Sequence, residues 1–120
     1  RQYVTTTTEF TTSSTSYIDV TSMTVTLQAG TGNCFLTFNS LFQQSGSSGF
    51  CRWECSTDGT QQEGKITSTS SKKEILCLPY VTNTLGAQTC KIQSKNDNGN
   101  TNYFAVDAEG PSTICALEIS

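Results

Sequence analysis

Apolar residues in this chain recur at every second position, and that period decides what it can fold into. Met23, Val25 and Leu27 alternate with Thr24, Thr26 and Gln28, and Cys51, Trp53 and Cys55 alternate with Arg52, Glu54 and Ser56. A period of two places one face of an extended segment in a core and the other in solvent. No segment shows the 3.6-residue period of an amphipathic helix. The alternation predicts strands over Thr21–Ala29, Cys34–Gln43, Phe50–Thr57, Glu74–Tyr80, Gln88–Ser94, Asn102–Asp107 and Thr113–Ile119. The polar stretch Gln61–Ser71 reads as a weak edge strand or a loop, and the strand Glu74–Tyr80 is expected to end at Pro79 or just after it. Ala29–Asn33, Ser45–Gly49, Asp58-Gly59 and Glu109-Gly110-Pro111 carry turn chemistry, and Asn96–Asn100 reads as a hairpin loop between two strands. About eight short strands at regular spacing predict an all-β, antiparallel β-sandwich of the jelly-roll type.

A length of 120 residues fits one domain. The split is a Thr/Ser-rich arm over residues 1–16 and a sandwich over 17–120. Ten of the first sixteen residues are Thr or Ser. A tail this polar frays unless something holds it, yet Thr favours strands, so the arm is suited to joining a sheet edge. Tyr3, Val4, Thr5, Thr6, Thr7, Thr8 and Phe10 are the candidate assembly residues. Backbone ladder bonds would supply strength, and the apolar side chains register. Arg1 in place of Met predicts a processed chain.

Composition excludes several classes. The net charge of −3 argues against nucleic acid as a partner, and no apolar run is long enough to span a membrane. With no His, nucleophile schemes that need a His base are absent. Glu54 and Asp58 read as solvated strand and turn carboxylates rather than a glycosidase pair. The expectation is a protein that is not an enzyme and needs no cofactor.

Six cysteines, Cys34, Cys51, Cys55, Cys77, Cys90 and Cys115, predict three disulfides and an extracellular, oxidising setting. Zinc and buried free thiols are the alternatives. Cys51 and Cys55, four apart in an extended run, sit about 13 Å apart and cannot bond to each other. The remaining pairings stay open. Asn96–Asn102 is oxygen-rich, but its one carboxylate favours a plain turn over calcium. Tyr3, Phe10, Tyr17, Tyr80 and Tyr103 are candidates for a sugar-stacking platform, weighed against ordinary packing. Lys72-Lys73 reads as surface. The arm carries Thr and Ser that could accept O-glycans.

The run Thr15–Val20 leading into Met23–Leu27, the strand ending at Asp58-Gly59, the segment Gly86–Ile92 and the closing Ile114–Ile119 together resemble the C1q/TNF-like jelly-roll modules of phage tail fibres and bacterial surface proteins. Gln88 stands where that family carries His, and Cys90 where it carries an apolar residue. The resemblance implies a compact, often trimeric sandwich on an extracellular appendage, one that builds or binds. The leading expectation is a structural subunit that self-assembles with copies of itself into a surface filament or virion fibre by strand addition. The alternative is a receptor- or glycan-binding module at a fibre tip.

Overall fold

The computed structural model describes residues 2–30, 32–66, 73–83 and 85–118. Arg1, Lys72, Ile119 and the serine-rich end of the 61–71 stretch lie outside them. Among the described residues ten strand segments occur, β1 (Gln2–Thr6), β2 (Phe10–Thr12), β3 (Ile18–Leu27), β4 (Asn33–Gln44), β5 (Gly49–Cys55), β6 (Gly59–Lys65), β7 (Glu74–Asn83), β8 (Gln88–Asn96), β9 (Asn102–Phe104) and β10 (Ser112–Glu118). All pairings are antiparallel.

The register reduces ten segments to eight strands. Phe42 of β4 faces Glu74 of β7 on one side and Phe104 of β9 on the other, while Phe38 faces Leu78 of β7 and Ile114 of β10. β9 and β10 therefore lie end to end along one side of β4. β1 and β2 lie end to end outside them, on β10 and β9 respectively. The first sheet then runs β7, β4, β10 with β9, β1 with β2; the second runs β6, β5, β8, β3. This is a jelly-roll sandwich, as the alternation predicts.

Three local readings are corrected. Asn96–Asn100 is not a hairpin loop, because β8 belongs to the second sheet and β9 to the first, so the segment crosses between sheets. The strand over Asn102–Asp107 stops at Phe104. Ala105 takes a left-handed conformation (φ 51°) and a short 3₁₀ turn, Val106–Ala108, follows. β7 continues through Pro79 to Asn83. It is an edge strand, so a missing N–H on its outer side costs no ladder bond.

The core lies between the sheets. Trp53, Phe38, Phe42, Phe104, Met23, Leu36, Ile92 and Ile114 are fully buried. Phe104 is its hub, with ring centroids 5.0 Å from Phe42, 6.0 Å from Phe38 and 6.1 Å from Phe10 of the arm. Trp53 ties the sheets together, its indole N–H donating to the Leu78 carbonyl at 3.0 Å.

Candidate functional site

Both sheets turn an outer face to solvent, and the two faces differ. On the second sheet Asp19, Arg52, Glu54, Lys91 and Lys95 point outward. Lys91 pairs with Asp19 at 3.0 Å and Lys95 with Asp97 at 3.0 Å. Tyr17 lies there too, with the Arg52 guanidinium 3.8 Å above its ring and its hydroxyl donating to Glu63. Burial and that carboxylate push the Tyr17 phenol well above its usual range. This is an ordinary solvated, charge-paired sheet face.

The first sheet is different. Its outward positions are the odd-numbered residues of β1, β10, β4 and β7, and none of them is charged. Leu117 faces Phe35, which faces Val81. In the next row Tyr3, Cys115, Thr37 and Pro79 cross the sheet, and further along Leu41 faces Ile75. Ile75 is 75% exposed, Tyr3 59% and Val81 51%. Four strands about 4.8 Å apart, with some seven residues each, project on the order of 500 Å². That face is uncharged rather than wholly apolar: Thr5, Thr37, Asn39 and Thr113 lie between its apolar rows, and exposed apolar residues clustered in this way mark interaction sites more often than singly scattered ones do. A depression of about 330 Å³ indents one end, lined by Leu41, Ile75, Pro111 and Thr113 with the Glu109 carboxylate at its margin.

The predicted assembly residues all lie on the arm, but in different environments. Tyr3 and Thr5 point outward on β1, while Val4 and Phe10 turn inward and pack against the core. Thr7 and Thr8 occupy the gap between β1 and β2. Within one chain the arm seats on its own sheet, in register from Gln2 with Ala116 to Thr6 with Ser112. The Gln2 side-chain amide donates to the Thr26 carbonyl of β3, across the sandwich edge.

The five candidate aromatics for sugar stacking do not come together. Tyr3 and Tyr103 lie on the outer face of the first sheet and Tyr17 on that of the second, Phe10 packs on Phe104, and Tyr80 packs against the core. Asp58 is no free turn carboxylate: it accepts hydrogen bonds from Thr82 Oγ1 and Tyr80 Oη, which hold it below the usual carboxylate range. Glu54 accepts from Thr60. In the Asn96–Asn102 segment, Asn96 Oδ1 accepts the backbone N–H groups of Asn98 and Asn100, and the single carboxylate, Asp97, pairs with Lys95. These bonds fold the loop internally. Lys73 is engaged with Asp107 and Glu109, each at 2.9 Å, and so braces the 3₁₀ turn.

The six cysteines do not sort into three bonded pairs. Cys34, Cys51, Cys55 and Cys90 point into the core, and Cys77 and Cys115 point out from the first sheet. β4 separates Cys77 from Cys115, placing them about 10 Å or more apart, beyond disulfide reach. Burial pushes the Cys51 thiol up to about 12.

No family model and no curated protein matches this chain. Solved structures with a similar trace include one of infectious bursal disease virus (12% identity, TM-score 0.44), covering 99% of this chain and 32% of that one. A carbohydrate-binding module of a Cellvibrio mixtus lichenase, in complex with cellotriose, has 11% identity and TM-score 0.44 over 81% of this chain and 68% of that one. The Eiger TNF of S. frugiperda has 8% identity and TM-score 0.37 over 96% and 91%. The chain thus spans about a third of the viral protein. Likeness at this level says nothing of activity or partners, and the jelly-roll assignment rests on strand order.

Proposed function

We propose that this chain is a non-enzymatic extracellular structural subunit that assembles with copies of itself into a surface filament or virion fibre. The observation that carries the reading is the charge-free outer face of the first sheet. A face without charge offers nothing to a charged partner, and its apolar rows match those of a second copy through burial. The arm supplies Tyr3 and Thr5 to that face and forms the outermost strand, so donation of β1 to a neighbour's β10 would join subunits along the same edge. Repeated head-to-tail donation gives an open assembly when the rotation from one subunit to the next does not close a ring.

The test is self-association measured by sedimentation velocity and electron microscopy. The wild-type chain is expected to form higher assemblies that grow with concentration, and Phe35→Lys with Val81→Lys to leave a folded monomer. A wild-type chain that stays monomeric at 100-fold the working concentration, or a double variant that assembles as well as wild type, overturns the reading. The glycan-binding alternative draws no support from the five aromatics, since they form no common platform.

A further inference from the structure

Cys55 ends β5, and Cys90 is the third residue of β8. The two stand directly opposite one another in the β5–β8 ladder. One step along, the Ser56 N–H donates to the Thr89 carbonyl at 2.9 Å. In an antiparallel ladder hydrogen-bonded and non-hydrogen-bonded pairs alternate, so Cys55 and Cys90 occupy a non-hydrogen-bonded pair. That is the position where opposed Cα atoms come closest, at about 4.5 Å, and side chains lie nearest. A disulfide needs Cα atoms roughly 4.4–6.8 Å apart. Both side chains point into the core, at 1% and 0% exposure, and both are free thiols in this structure.

No other cysteine faces a cysteine. Cys34 stands opposite Thr82 and Glu118, Cys51 opposite Ser94 and Gly64, Cys77 opposite Asn39, and Cys115 opposite Thr37 and Tyr3. We propose that Cys55 and Cys90 are joined as a disulfide, formed during folding by exchange with a small-molecule disulfide such as glutathione disulfide. This inference stands apart from the assembly reading.

The exchange balances in two steps. One cysteine thiolate attacks a sulfur of glutathione disulfide, forming a mixed disulfide and releasing one glutathione thiolate. The second cysteine thiolate attacks the protein sulfur of that mixed disulfide and releases the other glutathione. Two protein thiols lose two protons and two electrons, and one glutathione disulfide becomes two thiols. The timing follows from burial. In the folded chain both sulfurs are sealed in the core, at 1% and 0% exposure, so a dissolved disulfide cannot reach either of them. Exchange belongs to the interval before β5 and β8 close. The same shielding protects the finished bond from reductants.

The experiment refolds the full chain from denaturant in a glutathione redox buffer, blocks residual thiols, then maps peptides by mass spectrometry. The expected product carries four blockable thiols of six, is lighter by two hydrogens, and yields one cross-linked peptide pair holding Cys55 and Cys90. A Cys55→Ala, Cys90→Ala double variant should keep four blockable thiols under both oxidising and reducing refolding. Six thiols in the refolded wild type, or a dominant bond between other cysteines, overturns the proposal. In a second arm the folded, reduced chain meets the same glutathione disulfide. Formation of the bond at least 100-fold slower than during refolding is expected, and equal rates overturn the folding-time assignment. Both arms are measured on the wild-type chain, so a double variant that fails to fold changes neither result.

Discussion

At the scale of single residues, Asp58 shows how much one side chain can be asked to hold. Gln88 Nε2 donates to Thr82 Oγ1, Thr82 donates to Asp58, and Tyr80 donates to the same carboxylate. The β5–β6 turn is thereby fastened to β7 of the other sheet. These bonds favour the charged form and lower the Asp58 pKa. A group with a depressed folded pKa contributes stability that is present above its unfolded value, about 3.9, and is lost as pH falls through the folded value. Asp58→Asn should therefore cost about 1–2 kcal/mol near neutrality, because a neutral amide oxygen accepts from Thr82 and Tyr80 more weakly than a carboxylate does. The gap between wild type and variant should narrow as pH falls below the unfolded value. Chemical denaturation across pH 2–7 checks this, and a gap unchanged at pH 2 refutes it. The sequence made the turn legible through Asp58-Gly59, but not its partners. Tyr80 and Thr82 lie more than twenty positions away, and no local pattern reports which strand packs over a turn.

At the scale of elements, what the sequence carried well was the alternation, and what it could not carry was the assignment of strands to sheets. The inward stripe Cys51, Trp53, Cys55 is buried as expected. Asn96–Asn100 was equally clear as a place where the chain turns. Turn chemistry fixes a reversal of direction, not the strand that receives it, and here the receiver is the opposite sheet. The break at Ala105 had no signal, because a non-glycine residue with positive φ is held by its surroundings rather than by its own preference. Its backbone N–H donates to Ser40 Oγ, which also bonds Ser112 of β10. The opposite case is Gly59, where the residue itself makes the geometry possible. Its φ is +76° and a Cβ there would meet no atom within 4 Å. Gly59→Ala should destabilise by about 1 kcal/mol through backbone strain alone. The β5–β6 hairpin should lose amide-exchange protection first, whereas a loss spread evenly over both sheets would contradict the local origin of the cost.

At the scale of the whole molecule, the arm is the element whose contacts can be remade without redesign. It is held by a five-residue ladder to β10, by the three-residue pairing of β2 with β9, and by two inward apolar side chains, Val4 and Phe10. Burial of those side chains is worth about 1.5–3 kcal/mol each at full burial, and both are only partly buried. A neighbour's identical groove would return the same contacts, so exchange between subunits changes little in contact energy and is governed by concentration. The slot beside β10 and β9 should then be open to an arm supplied in trans. A chain beginning at Ser13 is expected to be less stable than the full chain and to regain stability when a peptide of residues 2–12 is added. Titration should saturate at one peptide per chain, with a rise in Tm that grows with peptide concentration. The same peptide carrying Val4→Asp and Phe10→Asp keeps every backbone donor and acceptor but loses both anchors, so its failure to bind would assign register to those two side chains. Equal rescue by the two peptides would leave the ladder alone as the binding element, and a truncated chain as stable as the full one would remove the arm from the assembly mechanism. In that last case the neutral outer face, without strand exchange, would have to hold subunits together, and the contact would be a face-to-face pair rather than a growing file.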